Sequence, residues 1–315
     1  MAALSGDRAQ TGGTRVAVLG ATGCVGRCVG EALEREGYEV LAVARHRAPA
    51  VAGRLFADLD VAAVPPADLA ALLTRHRVGA VVNVTGGWGT TEEEMRYAHI
   101  TLVERLLSAL ELTAGRPRLV HVGSIHEYGP VPEPTAIGEE FEARPDTSYA
   151  RTKLSGSQLV LDAARAGRVE ALVLRAVNVC GPHTTRASFL GSVVERLRAA
   201  EADRPVVLRV ADARRDFVDV RDLAEAVVLA VASPVTGRVV NIGRGEASSM
   251  RELVDLLVAA SGLPPGRLRV EDGPVSSKGG GWTLADIRLA GELLGWKPRI
   301  PLAETMRATW ETPAG

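Results

Sequence analysis

The stretch Arg15-Val16-Ala17-Val18-Leu19-Gly20-Ala21-Thr22-Gly23-Cys24-Val25-Gly26 decides how the rest of the chain is read. After Arg15 its next four residues are apolar or β-branched, the composition of a strand buried in a parallel sheet. They run straight into glycines spaced G-x-x-G-x-x-G. A helix is predicted from there to Glu36, stopped by Gly37. Glycines between a strand and a helix let the backbone turn tightly and let a pyrophosphate approach bare N–H groups at the helix N-terminus. On this reading Gly20, Thr22, Gly23, Cys24, Val25 and Gly26 line a nucleotide site.

The next strand, Tyr38 to Ala44, ends in Arg45-His46-Arg47, where the adenosine ribose of a dinucleotide would lie. An acidic residue there would bond the 2′-hydroxyl of NAD, whereas an arginine suits the 2′-phosphate of NADP. No Asp or Glu occurs from Val40 to Ala57, so Arg45 points to NADP(H). Asp58 and Leu59 close a short strand, with Asp58 expected at the adenine amino group or capping a turn. Pro65 and Pro66 open a helix to His76. The strand Val78 to Val84 leads into Thr85-Gly86-Gly87-Trp88-Gly89, small residues that admit a ligand. Thr85 and Gly86 are assigned to the cofactor, Gly87 and Trp88 to the substrate. Thr91 and Glu92 to Glu94 begin a long helix with capping-box chemistry, its stripe carried by Leu102, Leu106 and Leu110.

Arg118 to Gly123 forms a strand that delivers Ser124 to its carboxyl end. Val169 to Arg175 forms another, which runs on to Val177. Strand and helix alternate throughout this half, which predicts an α/β fold with a Rossmann-type doubly wound parallel sheet. The expected organisation is a disordered tail over 1–13 and a nucleotide-binding domain over 14–177, with 214–243 returning to it. A smaller C-terminal α/β substrate-binding lobe takes 178–213 and 244–315. Arg214 to Val220 is expected to cross back toward the sheet, and Trp282 and Trp296 to mark the compact C-terminal lobe.

Chemistry enters with Ser148-Tyr149-Ala150-Arg151-Thr152-Lys153-Leu154, inside a helix predicted from about Thr147 to Ala166. Positions i and i+4 share a helix face, so the Tyr149 phenol and Lys153 ammonium form a proton-transfer unit. The positive charge is expected to lower the phenol's pKa from its ordinary ~10. A packed tyrosine beside a solvated lysine is the plain alternative. Ser124 would present its hydroxyl to the crevice where open α/β sheets hold ligands.

The 315 residues carry a formal net charge of -1 with no basic block, which gives no footing for nucleic acid or an anionic membrane. No apolar run approaches the ~20 residues of a membrane span. Three cysteines, an odd number, argue for reduced cytosol, and Cys24 and Cys28 lack the neighbours of a metal site.

Taken together and in order, these pieces resemble an extended short-chain dehydrogenase/reductase, the branch acting on nucleotide-activated sugars. The matching residues are the Gly20-Gly23-Gly26 loop, Ser124 with Tyr128-Gly129, Tyr149 and Lys153, Asn178-Val179-Cys180-Gly181-Pro182, Arg215-Asp216-Phe217-Val218-Asp219-Val220, Asn241-Ile242-Gly243 and Leu294-Gly295-Trp296-Lys297-Pro298. The resemblance covers nearly everything from about Thr14 onward. It implies that Ser124 and Tyr149 bond the reacting oxygen, and that Lys153 bonds the nicotinamide ribose and depresses the Tyr149 pKa. Asn178 and Arg215 would lie along the substrate diphosphate. His126, Tyr128 and His183 would contact substrate, and Val177 the cofactor.

Two departures narrow the chemistry. Ile125-His126 stands where the family's sugar dehydratases carry an Asp-Glu pair, and isoleucine transfers no proton. Arg45 argues for NADP, the cofactor of net reduction. Cys180 replaces a frequent tyrosine. Gly86 to Thr90 with His126-Glu127-Tyr128 resembles the 4-ketoreductases of deoxysugar assembly. The leading expectation is an NADPH-dependent reductase of a 4-keto-6-deoxyhexose nucleotide. The alternatives are an epimerase or epimerase-reductase using His126 and His183, and a non-catalytic NADP-binding sensor. A homodimer is expected through the long helices at 91–113 and 147–166.

Overall fold

A computed structural model describes residues 14–312, with 88, 90, 202–203 and 274–279 excepted. The tail expected to be disordered, 1–13, lies outside the described residues. In chain order the elements are β1 (Arg15–Leu19), α1 (Cys24–Arg35), β2 (Glu39–Ala44), β3 (Leu55–Asp58), α2 (Pro66–Arg75), β4 (Val78–Asn83), α3 (Glu92–Arg96), α4 (Leu102–Leu112), β5 (Arg118–Ser124), α5 (Ser148–Arg165), β6 (Ala171–Ala176) and β7 (Asn178–Cys180). They continue with α6 (Phe189–Arg198), β8 (Val206–Ala211), β9 (Arg214–Asp219), α7 (Val220–Ala232), β10 (Arg238–Ile242), β11 (Ala247–Ser249), α8 (Met250–Ser261), β12 (Leu268–Gly273), β13 (Trp282–Thr283), α9 (Arg288–Leu294) and α10 (Leu302–Glu311).

Seven strands form one parallel sheet in the order β10-β6-β5-β4-β1-β2-β3. Both faces are covered, which is why these strands are apolar without alternation. On one face Val29, Ala32 and Leu33 of α1 meet Leu223, Val227 and Val231 of α7. On the other, Leu69 and Leu73 of α2 pack with Val103 and Leu106 of α4 and Val160 of α5. The chain winds outward from β1 through β2 to β3, then resumes on the other side at β4. The crevice at the carboxyl ends of β1 and β4 is therefore the topological switch point, where such sheets take ligands. This is the doubly wound architecture expected.

A separate apolar cluster joins Leu190 and Val194 of α6, Leu208 of β8, Leu253 and Leu257 of α8, and Met306 of α10. A four-stranded sheet orders β11-β9-β13, with β7 also paired to β9. Arg214 to Val220 thus does not rejoin the large sheet as expected. Its strand β9 bonds β7, β11 and β13 instead, and only α7 and β10 return. Trp296 is likewise corrected. Its indole is buried in the large core, and Nε1 donates to the Asp222 carbonyl of α7 at 3.0 Å. A side chain that large is best buried where the core is deep enough to cover both ring faces.

The helix expected from Thr91 onward runs through to Leu112, but it is not α-helical throughout. Thr91 Oγ1 accepts from Glu94 N at 3.1 Å and Glu94 Oε2 from Thr91 N at 3.2 Å, closing the expected capping box. Between α3 and α4, Tyr97–Thr101 forms a π-helical turn, and it carries the buried His99.

Candidate active site

Gly20 takes φ +83°, and a Cβ on Gly26 would stand 2.2 Å from the Gly20 carbonyl oxygen, so helix and loop pack too closely for any side chain. The N-cap of α1 is Gly23, which offers no side-chain cap, and the first turn holds no acidic residue. By contrast, Thr147 Oγ1 caps α5 by accepting from Ala150 N at 3.1 Å. The α1 N–H groups are left for an anion, and this end of the helix fits the diphosphate of a dinucleotide. Thr22 and Val25 are half-buried beside it. The Cys24 thiol turns away, donating to the Pro182 carbonyl at 3.3 Å, and burial pushes its pKa up to about 11. Only its backbone remains for a nucleotide.

Arg45 is exposed just beyond β2, and Arg47 lies 4.6 Å over the Phe56 ring. Asp58 is exposed at the end of β3, while Leu59 N donates to the Ala44 carbonyl at 2.9 Å. Thr85 is locked by Asn83 Oδ1, which accepts from its N at 3.1 Å and from its hydroxyl at 2.5 Å. Gly86, at φ +106°, must lack a side chain, since a Cβ would meet His99 Cδ2 at 2.8 Å and Lys153 Nζ at 3.3 Å. Gly87 is exposed, with open space where a Cβ would be. Trp88 lies outside the described residues. Val177 is buried at the β6–β7 junction, its N–H donated to Ile242 O at 2.9 Å.

Ser124, Tyr149 and Lys153 converge at the carboxyl end of β5, all three buried. The Ser124 side chain is hydrogen-bonded to the phenol. The Tyr149 ring is flanked edge-on by His99, with centroids 5.4 Å apart, and by His126 at 6.3 Å. Lys153 Nζ donates to the Val122 carbonyl at 2.8 Å. The expected depression of the Tyr149 pKa is not found. Burial pushes the phenol up to about 12, the bond to Ser124 pulls it down in part, and the Glu127 charge raises it further. The ammonium is spent on a backbone carbonyl, so desolvation outweighs it. Burial also lowers Lys153, opposed by Glu127. Tyr149 is thus held as the protonated phenol, a proton donor.

The His126 side chain bonds Asn178, and burial, aided by the Arg215 charge, lowers its pKa to about 4. It is a neutral imidazole at pH 7. Asn178 Nδ2 donates to the Asp216 carbonyl at 3.0 Å. Arg215 is buried, its guanidinium donating to the Gly280 carbonyl, with Nε at 3.1 Å. Burial lowers its pKa, and among the described residues no carboxylate forms an ion pair with it. A small recess beside His126 is lined by Asp146, Gly280 and Thr283.

One expected substrate contact, Tyr128, is corrected. Tyr128 is 2% exposed, its hydroxyl donated to Asn241 Oδ1 at 3.1 Å and its ring covered by Arg175 at 4.3 Å. A ring buried and covered that way packs the core. His183, at φ +63°, belongs to the turn against α1, where its charged neighbours are Arg27 and Glu31. The structure does not pair it with His126, whose surroundings are Tyr149, Asn178 and Arg215.

Sequence reasoning passed over Glu127, His99 and His121. Glu127 Oε1 accepts from Ser124 N at 2.8 Å, and Oε2 pairs with Arg175 Nε at 2.7 Å. Ser124-x-x-Glu127 is itself a capping-box pattern ahead of the 3-10 turn Ile125–Tyr128, a signal available in the sequence. His99 Nδ1 lies 2.8 Å from Thr152 Oγ1, and His121 Nδ1 lies 3.1 Å from Asn83 Nδ2. No local pattern announces these pairs.

Residues 16–243 match the model of the NAD dependent epimerase/dehydratase family. The chain is 40% identical over 305 residues, 96% of each chain, to dTDP-6-deoxy-L-talose 4-dehydrogenase (NAD(P)(+)) of Kitasatospora kifunensis. It is 28% identical over 221 residues to GDP-6-deoxy-D-mannose reductase of Pseudomonas aeruginosa, covering 66% of this chain and 70% of that one. Among solved structures, RMD from Pseudomonas aeruginosa complexed with NADPH superposes with TM-score 0.79 at 22% identity, covering 95% and 96% of the two chains. UDP-glucose-4-epimerase from Stenotrophomonas maltophila with bound NAD gives 0.83 at 24% identity, over 95% and 97%. These two share the fold. The chain belongs to the NAD dependent epimerase/dehydratase family and is an NAD(P)-dependent oxidoreductase within it.

Proposed function

We propose that the protein reduces the C4 keto group of a dTDP-type 4-keto-6-deoxyhexose with NADPH. The observation that carries this is the meeting of the Ser124 hydroxyl with a Tyr149 phenol kept protonated at the carboxyl end of β5. Bound at the Gly20–Gly26 loop, the nicotinamide cofactor supplies the hydride. Ser124 holds the carbonyl oxygen, and Tyr149 gives its proton to that oxygen as it becomes an alkoxide. Lys153, an ammonium one helical turn on, replaces the proton. Arg215 offers a buried guanidinium, free of carboxylates among the described residues, to the substrate diphosphate. Asn178 steadies His126 beside the phenol.

Three observations support this reading over its neighbours. Ile125 is buried in the core, so the position that would eliminate water in a dehydratase is inert. Arg45 is exposed just beyond β2, open to a 2′-phosphate, and no acidic residue occurs from Val40 to Ala57. The relative at 40% identity is named for redox chemistry at C4 of a dTDP-6-deoxysugar. Mixing the protein with NADPH and a panel of dTDP-4-keto-6-deoxy sugars should oxidise the cofactor, and a flat absorbance trace with every member would overturn the proposal. Tyr149→Phe should cut turnover by about 10² or more while NADP still binds.

Epimerisation is the second reading, favoured by one observation, the neutral His126 imidazole beside Tyr149. Deuterium from solvent entering ring carbons would establish it. The reading includes a homodimer formed on the helices at 91–113 and 147–166, which light scattering of the purified protein would test.

A further inference from the structure

Glu127 is completely buried, and Arg175 nearly so. A carboxylate in that position is tolerated only when paired and fully hydrogen-bonded. Here it is both. Oε1 accepts from Ser124 N at 2.8 Å and from Ser157 Oγ at 2.9 Å, while Oε2 meets Arg175 Nε at 2.7 Å. Arg175 stacks on Tyr128, whose hydroxyl reaches Asn241 on β10. Space for the carboxylate exists because residue 123 is glycine, since a Cβ there would come within 2.5 Å of Oε1 and 2.9 Å of Ser157 Oγ. One polar chain therefore runs from the residue that presents the active hydroxyl, through β6, to the edge of the large sheet.

We propose that Glu127 is a positioning residue of the reaction: its carboxylate fixes the Ser124 end of β5 and keeps Tyr149 and Lys153 in their proton-bearing states, those from which a reduction starts. This rests on the reductase reading of the site. The surroundings agree in sign. Tyr149 is faced by Ser124, His99 and His126, and Lys153 by His99 and His121. Burial holds these histidines neutral near pH 7, so Glu127 supplies the negative charge that opposes loss of the Lys153 proton and formation of phenolate.

Glu127→Gln keeps the size and the Oε1 acceptor and removes the charge. In the NADP+ complex of the full chain, with tyrosine labelled at 13Cζ, the Tyr149 resonance is identified by its loss in Tyr149→Phe. In Glu127→Gln it should titrate at least about one pH unit lower. With a reducible keto sugar, kcat should fall more than about tenfold with KM changed less than about threefold. The basic limb of kcat should move to lower pH, because reduction needs the phenol protonated. Ser157→Ala, which trims one hydrogen bond and keeps the charge, should leave the titration in place. If Glu127→Gln does not fold, Glu127→Gln/Arg175→Met removes both charges at similar volume and should show the same shift. An unmoved titration, a loss confined to KM or thermal stability, or failure of both charge-removing variants to fold would overturn the proposal. If wild type reduces no keto sugar, the reductase reading falls, while the titration still decides the part played by Glu127.

Discussion

His99 makes the protein sensitive to acid, by an amount that follows from its surroundings. The imidazole is 2% exposed, bonded through Nδ1 to Thr152, and burial with the Lys153 charge lowers its pKa from 6.5 to about 4. The folded state thus binds this proton less readily than the unfolded chain. Its contribution to stability is complete above about pH 6.5 and is lost as pH falls toward 4. Linkage between those two values gives a loss of about 2 kcal/mol from pH 7 to pH 5. His99→Asn removes the titrating group and retains a polar partner for Thr152. Urea unfolding of cofactor-free wild type and variant, followed by tryptophan fluorescence at pH 7, 6 and 5, isolates the effect, because other titrating groups cancel in the difference. The gap between the two proteins should shift by about 2 kcal/mol over that range, toward the variant in acid. A gap that stays constant would show that His99 is not held neutral by burial and would refute the electrostatic account of the site.

Three further outcomes are expected. Gly26→Ala places a methyl 2.2 Å from the Gly20 carbonyl oxygen, and should abolish cofactor binding by calorimetry while costing about 1–3 kcal/mol in unfolding experiments. Trp296→Ala should cost about 3–5 kcal/mol, since the indole fills the large core and bonds Asp222, and near-wild-type stability would contradict that packing. Arg45→Glu should raise the KM for NADPH at least about tenfold and spare NADH, and equal changes for both would remove Arg45 from the 2′-phosphate site.

What was legible in the sequence was whatever local spacing dictates. The run Arg15 to Gly26 announces its strand, turn and helix, and alternation around it yields the doubly wound sheet. Tyr149 and Lys153 share a face because helical geometry requires it. Spacing says nothing about depth, however, and the electrostatic reading of that pair failed on depth. Lys153 donates to the Val122 carbonyl, and burial then governs both groups. Tyr128 and Trp296 misled for a related reason, because a lone aromatic records that something must be buried but not where. Strand β9 was misplaced because its partners β7, β11 and β13 are two- and three-residue segments that leave no periodicity to read.

The wide turn at Tyr97–Thr101 acts as one extra residue wound into what is otherwise a continuous rod. The two lengths on either side are consequently out of phase. α4 keeps its leucine stripe against the sheet, while the insertion swings the His99 imidazole toward Tyr149. Excising a single residue there would let an ordinary hydrogen-bond ladder run through unbroken and rotate the imidazole off the phenol. A one-codon deletion would thus move a ring at the heart of the candidate active site without altering Ser124, Tyr149 or Lys153.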